Sequence, residues 1–297
     1  MNKALSNTEQ VQGIRRYTLE NGLKVIELYN ESMHVLLNES KCLDIMQVFY
    51  KGVNVSYISK NGFNNNNHLP FEERYEGGTL YTSGLEMVGS MEGYPTHGTV
   101  HTRPMNIEKS YIEGNRLIVV GTNRNSAIFS KNLVLKRTIV LEGNSIHLTD
   151  ELSNESYKDE NYALLYHINM GYPLLDDGAK IEGDFKSVKP RTKFAEENIK
   201  THKLITKPFD NQDEMVYYID NNSNYASLIN EKINMKYTIT YSKGTLPNLV
   251  EWKCMQSGEY ALGLEPTTTY FDKDFKYKTI KPNEVVTFSV SITINNL

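Results

Sequence analysis

The chain has 297 residues, 39% apolar and 23% charged, with a formal net charge of −4, the make-up of a folded globular protein with a sizeable core rather than of a disordered chain. Without any long run of Lys or Arg, nucleic acid is not expected as a partner, because neutralised phosphates dominate that affinity. No stretch of eighteen apolar residues and no apolar segment behind a basic start point to a membrane or a leader, and Cys42 and Cys254 form neither a disulfide framework nor a C-x-x-C site, so a reduced, cytoplasmic protein is expected.

The dominant period is two. In chain order, strands are expected at Leu23 to Leu28, Met33 to Leu37, Ile45 to Tyr50, Val53 to Ile58 and Arg116 to Gly121, with Phe71 to Tyr75 at most a turn of helix and Asn64 to Asn67 a surface loop. Leu133, Leu135, Arg137, Ile139 and Leu141 then share one face. After the turn Glu142-Gly143-Asn144 so do Ile146, Leu148, Asp150 and Leu152, which together read as a hairpin. Further strands are expected at Tyr162 to Met170, Met235 to Tyr241, Tyr260 to Glu265 and Val285 to Ile294, the last with Val286, Phe288, Val290, Ile292 and Ile294 on one side. A dozen or more strands joined by short turns predict an all-β fold, a large antiparallel sandwich. No Pro-, Gly- or Ser-rich linker divides the chain, so residues 1–297 are read as one domain.

Three segments carry the polar groups that chemistry needs. GYPTHGTVHTRP, Gly93 to Pro104, read as extended after Gly98, sets His97, Thr99, His101 and Arg103 on one face. Such a face looks into bulk water, as a solvated edge strand, or into a polar cleft, since each buried polar group needs a partner. In LLYHINMGYPLLDDG, His167 and Asn169 lie opposite Tyr166, Ile168 and Met170, and His167 is either a hydrogen-bonded structural residue or a catalyst. In YALGLEPTTTY, Glu265 follows Ala261 and Gly263 on the face opposite Leu262 and Leu264, just before Pro266, which is expected to end the strand; a solvated carboxylate at a strand end is the plainer reading. His97, His101 and His167 offer the three imidazoles of a catalytic zinc site. However, an i, i+4 pair in a strand spans about 13 Å, too far for one ion without a sharp turn, so no metal is expected.

Taken in order, LDIMQVFYKGVNVSYIS, GGTLYTSGLEMVG, YPTHGTV, LYHINMGYPLLDDGA and LPNLVEWK with GEYALGLEPTT resemble the DUF4432 group of aldose 1-epimerase-like proteins in the galactose mutarotase superfamily, over Leu23 to Ile294. The resemblance implies a β-supersandwich whose concave face binds a sugar and interconverts its anomers, with no cofactor and no metal. It also implies roles for three matched positions: His97, followed by Gly98, helps hold the sugar, His167 is the general acid and Glu265 the general base. Those residue types suit the reaction. One proton leaves the C1 hydroxyl and another reaches the ring oxygen, and an imidazole and a carboxylate are competent for these two transfers.

Thr99 and Lys41 stand where family members tend to carry arginine. Lys41, His101 and Arg103 are accordingly further candidate sugar contacts, with Asn169 beside His167 and Trp252 as a flat wall for a pyranose. Tyr166 belongs rather to the core. Glu214 and Asp220 are possible additional carboxylates, and Lys189, Arg191 and Lys193 form a solvated loop or meet a sugar phosphate. Besides a mutarotase acting on a small carbohydrate, a sugar-binding protein without catalysis and, more remotely, a metal-dependent enzyme fit these residues; a homodimer is the assembly considered.

Overall fold

Hydrophobic alternation becomes three antiparallel sheets in the computed structural model, which describes residues 4–297; the first three residues of the N-terminal segment lie outside it. Five strands from Gly13–Thr18 to Val53–Asn54 form a meander. An eight-stranded sheet holds the long hairpin Asn132–Glu142 and Ser145–Asn154, with Val285–Asn295 against its outer strand. A seven-stranded sheet runs in the order Phe185–Pro190, Met215–Asn221, Asn248–Gln256, Glu259–Thr267, Glu160–Met170 and Lys278–Ile280, and Leu80–Leu85 also pairs with Glu160–Met170. One contiguous core takes side chains from all three, among them Leu28 and Ile45, Leu135 and Phe288, Tyr166 and Leu264.

Charge is built into this core. Arg137 is fully buried. Its guanidinium donates to both carboxylate oxygens of Asp150, to Asp44 at 2.8 Å, to the Cys42 carbonyl and to the Thr82 hydroxyl. The Tyr166 hydroxyl closes the network on Asp150 at 2.8 Å, confirming its side chain as core. A buried ion pair stands only when its remaining hydrogen-bonding positions are filled, as they are here, and this one ties the three sheets together behind Leu80–Leu85 and Glu160–Met170.

Several elements depart from expectation. Val53 to Ile58 pairs as a strand only at Val53–Asn54, followed by single bridges at Ser56 and Ile58. Leu80–Leu85 and Asn248–Gln256 show no alternation because most of their residues are buried on both faces, with Thr82, Ser83, Glu251 and Lys253 inside. Asn64 is buried rather than exposed, its N–H donating to Glu76. Pro266 does not end its strand: Glu259–Thr267 continues through it, with Pro266 opposite Leu249. The helical residues expected near Phe71 form the single turn Phe71–Arg74. Among the described residues no helix is long and apolar enough to cross a membrane.

Candidate functional site

Strand register brings the two distant candidates together. Glu160–Met170 and Glu259–Thr267 are antiparallel neighbours in which Leu165 faces Thr267 and Ile168 faces Leu264, which sets His167 across from Glu265. On each strand alternation sends Leu264, Tyr166 and Ile168 to the core and the histidine and glutamate to the other face. There they line a cavity of about 330 Å³, within the range of small-molecule sites. The next row across the sheet is Asn169, Gly263, Trp252 and Val216, each opposite the next. Gly263 makes the room: a Cβ there would stand 2.5 Å from Glu265 Oε1 and 3.3 Å from His167 Cε1.

His167 Nε2 lies 3.2 Å from Glu265 Oε1, yet the two are not aligned as a hydrogen bond, and this carboxylate oxygen has no other partner. The tautomer of His167 is set from behind. Asn169 donates from its amide nitrogen to the Gly78 and His167 carbonyls, so its oxygen is an acceptor, and His167 Nδ1–H donates to it at 2.6 Å. Nε2 is therefore the lone-pair nitrogen facing Glu265. Burial pushes the imidazole down to about 4 and the carboxyl well above the usual carboxylate range, so the pair favours one shared proton, resting on Glu265 rather than on His167.

His97 stands 5.6 Å from His167, ring centroid to ring centroid. The segment around it is not extended. His97 (φ 60°) and Gly98 (φ 71°) are both left-handed, and a Cβ at Gly98 would meet the Gly84 carbonyl oxygen at 2.2 Å, so the turn requires glycine there. His97 Nδ1 accepts from the Gly89 N–H and pairs with the Ser83 hydroxyl at 2.9 Å. The proton thus sits on Nε2, a neutral donor for the cavity, and burial holds the ring well below its ordinary pKa.

The turn that follows, Val100–Thr102, sends the other candidates elsewhere. His101 is buried against Tyr81, and its Nε2 meets the Arg74 guanidinium and the Tyr81 hydroxyl. Lys41 is buried in an ion pair with Glu76. Both face a separate small void behind Gly77 and Gly78 and not the cavity. Arg103 reaches the Arg124 carbonyl at 3.4 Å, also away from it. Thr99 is held by Glu86 at 2.8 Å. Once His97 turns left-handed the assumed shared face no longer exists, and among the described residues no group of three or more His, Cys, Asp or Glu is placed to hold a metal ion.

Trp252 does line the cavity, edge-on to His167 at 5.2 Å, with its indole N–H donating to Glu214 at 2.7 Å. Glu214 and Arg191 are therefore wall residues. Arg191 is not a free cation, for it is paired through two nitrogens with Asp272 and lies over the Phe271 ring. Lys189 pairs with Asp274, and it and Asp220 border a more open groove of about 460 Å³ further along the sheet. Phe71, which opens the one-turn helix, and Tyr75, which caps its end and meets the Trp252 ring edge-on at 6.5 Å, complete the wall, and no spacing in the sequence marks them.

The same architecture recurs among solved structures. A "putative aldose 1-epimerase" from Klebsiella pneumoniae superposes with a TM-score of 0.88 at 21% identity, over 97% of this chain and 86% of that one. A galactose mutarotase-like protein from Clostridium acetobutylicum does so at 0.72 and 15%, over 97% and 100%. Another, from Lactobacillus casei, gives 0.66 and 12%, over 91% and 100%. At these identities what is shared is the fold, and it is the galactose mutarotase-like β-sandwich. Residues 20–294 match the family model described as "Domain of unknown function (DUF4432)", and the chain belongs to that family. No curated protein matches it.

Proposed function

We propose that the protein is a cofactor-independent mutarotase of the aldose 1-epimerase type, acting on a small carbohydrate in the cavity over His167 and Glu265. The observation that carries this reading is the pair itself: two proton-transfer groups 3.2 Å apart, buried, with one proton between them and the histidine tautomer set by Asn169.

That proton count suits ring opening. In the reactive form of the pair, with a sugar lying across both groups on the cavity side, imidazolium faces O5 and carboxylate faces O1–H. Glu265 takes the proton from O1 as C1=O1 forms and the C1–O5 bond breaks, and His167 Nε2 delivers its proton to O5. Rotation about C1–C2 presents the other carbonyl face, and reversal of both transfers closes the opposite anomer. The proton total is unchanged, so the site is ready for either direction. Each transfer typically contributes ~10²–10⁴-fold. His97 Nε2–H donates to a sugar oxygen, and Trp252 offers an aromatic face to the C–H side of the ring.

The sugar-binding alternative rested on Thr99 and Lys41, and both are occupied by Glu86 and Glu76 away from the cavity. Anomer exchange followed by NMR across a panel of free aldoses and ketoses tests the proposal. Acceleration of at least one sugar over buffer is expected; saturable binding without acceleration would establish the binding protein instead.

A further inference from the structure

Two buried polar atoms in this cavity have no hydrogen-bond partner: Glu265 Oε1 and the Tyr75 hydroxyl. An orphaned buried phenol calls for an explanation, since native structures leave few such groups. The neighbouring groups do not supply one. Asn169 lies close, but its nitrogen serves two carbonyls and its oxygen, which accepts from His167, is not in hydrogen-bond geometry with the phenol. The Tyr57 hydroxyl donates to Glu259, and the Tyr81 hydroxyl is taken up by Arg74 and His101.

The Tyr75 ring, by contrast, is held firmly. Its N–H donates to the Phe71 carbonyl at 2.8 Å, and its own carbonyl accepts from Ser59 and Asn61. The ring packs edge-on against Tyr81 at 5.1 Å and lies 5.7 Å from the His167 ring. Arg74, next in the chain, is anchored to Tyr81 and His101, which prevents the one-turn helix from swinging away. A fixed donor with nothing to donate to, on the wall of the cavity that Glu265 also lines, is the arrangement of a group preorganised for a ligand oxygen.

We propose that the Tyr75 hydroxyl is a further catalytic group, donating a hydrogen bond to the anomeric oxygen that Glu265 deprotonates. This rests on the mutarotase reading. As O1 loses its proton it gains negative charge before C1=O1 is complete, and a neutral donor aimed at it is worth more then than in the ground state. Burial and the nearby Glu265 keep the phenol's pKa well above its ordinary value, so it remains a donor throughout the working pH range.

The test is Tyr75→Phe, measured for anomer exchange and thermal unfolding beside the parent. Loss of an orphaned hydroxyl should leave Tm unchanged or raised, while kcat falls about 10²-fold with little change in KM. A structural hydroxyl would instead lower Tm, and an idle one would leave kcat at the parent value; either result overturns the assignment. If the parent itself accelerates no sugar, the mutarotase reading fails and takes this assignment with it, an outcome distinct from both.

Discussion

His167 Nε2 faces Glu265 Oε1 at 3.2 Å because two antiparallel strands pair Leu165 with Thr267 and Ile168 with Leu264. The pair's joint proton count has a consequence for stability. Unfolded, the histidine titrates near 6.5 and the glutamate near 4.5; folded, the histidine lies at about 4 and the glutamate well above its ordinary value. Between pH 4.5 and 6.5 both states hold one proton on the pair, so it contributes no slope. Above 6.5 the unfolded chain releases its proton while the folded pair keeps one, so stability falls as pH rises, by up to about 1.4 kcal/mol per unit. Glu265→Gln removes this loss. Thermal unfolding as pH is raised above 6.5, towards the raised pKa of Glu265, should show a declining Tm in the parent and a flatter one in the variant.

Gly263→Ala probes the space beneath the pair. The added Cβ meets the carboxylate end at 2.5 Å and must displace it, while the strand backbone has no positive φ to lose. Anomer exchange should drop by on the order of 10²-fold, the cost of misplacing a reacting group by about an ångström, with the fold retained by circular dichroism.

Arg137→Met leaves Asp44 and Asp150 buried without their cation. Urea denaturation should record a loss of about 3–5 kcal/mol. A smaller loss would mean that the network is not what joins the sheets.

Lys41→Met separates structure from sugar contact. Removing the buried partner of Glu76 should likewise destabilise by about 3 kcal/mol. KM for any sugar turned over should stay at the parent value, because neither Lys41 nor His101 lines the cavity.

The sandwich was legible because its longest strands alternate cleanly. Arg137 and Asp150 fell on the apolar faces of the long hairpin, but they were not paired from the sequence; their register opposite each other comes from the fold. His167 and Glu265 were legible for the same reason: alternation opposed them to Tyr166 and Leu264, and the family pattern supplied their roles. The stretch Gly93 to Pro104 was misread because period-two reasoning assumes extended backbone, and left-handed His97 and Gly98 followed by a helical turn break it. Lys41 drew attention because it stands at a family arginine position and His101 because it shared the assumed face with His97; their partners, Glu76 for the one and Arg74 and Tyr81 for the other, arrive through tertiary packing. Tyr75, Arg191 and Glu214 reach the cavity from strand ends and turns, whose position depends on the rest of the chain and leaves no periodic trace.

The most direct test of the account is the anomer-exchange rate of the parent, His167→Ala and Glu265→Gln on the best sugar of the panel, measured by saturation-transfer NMR. Losses of about 10²-fold or more in each variant are predicted, with the fold intact. Undiminished exchange in both would contradict the assignment of acid and base.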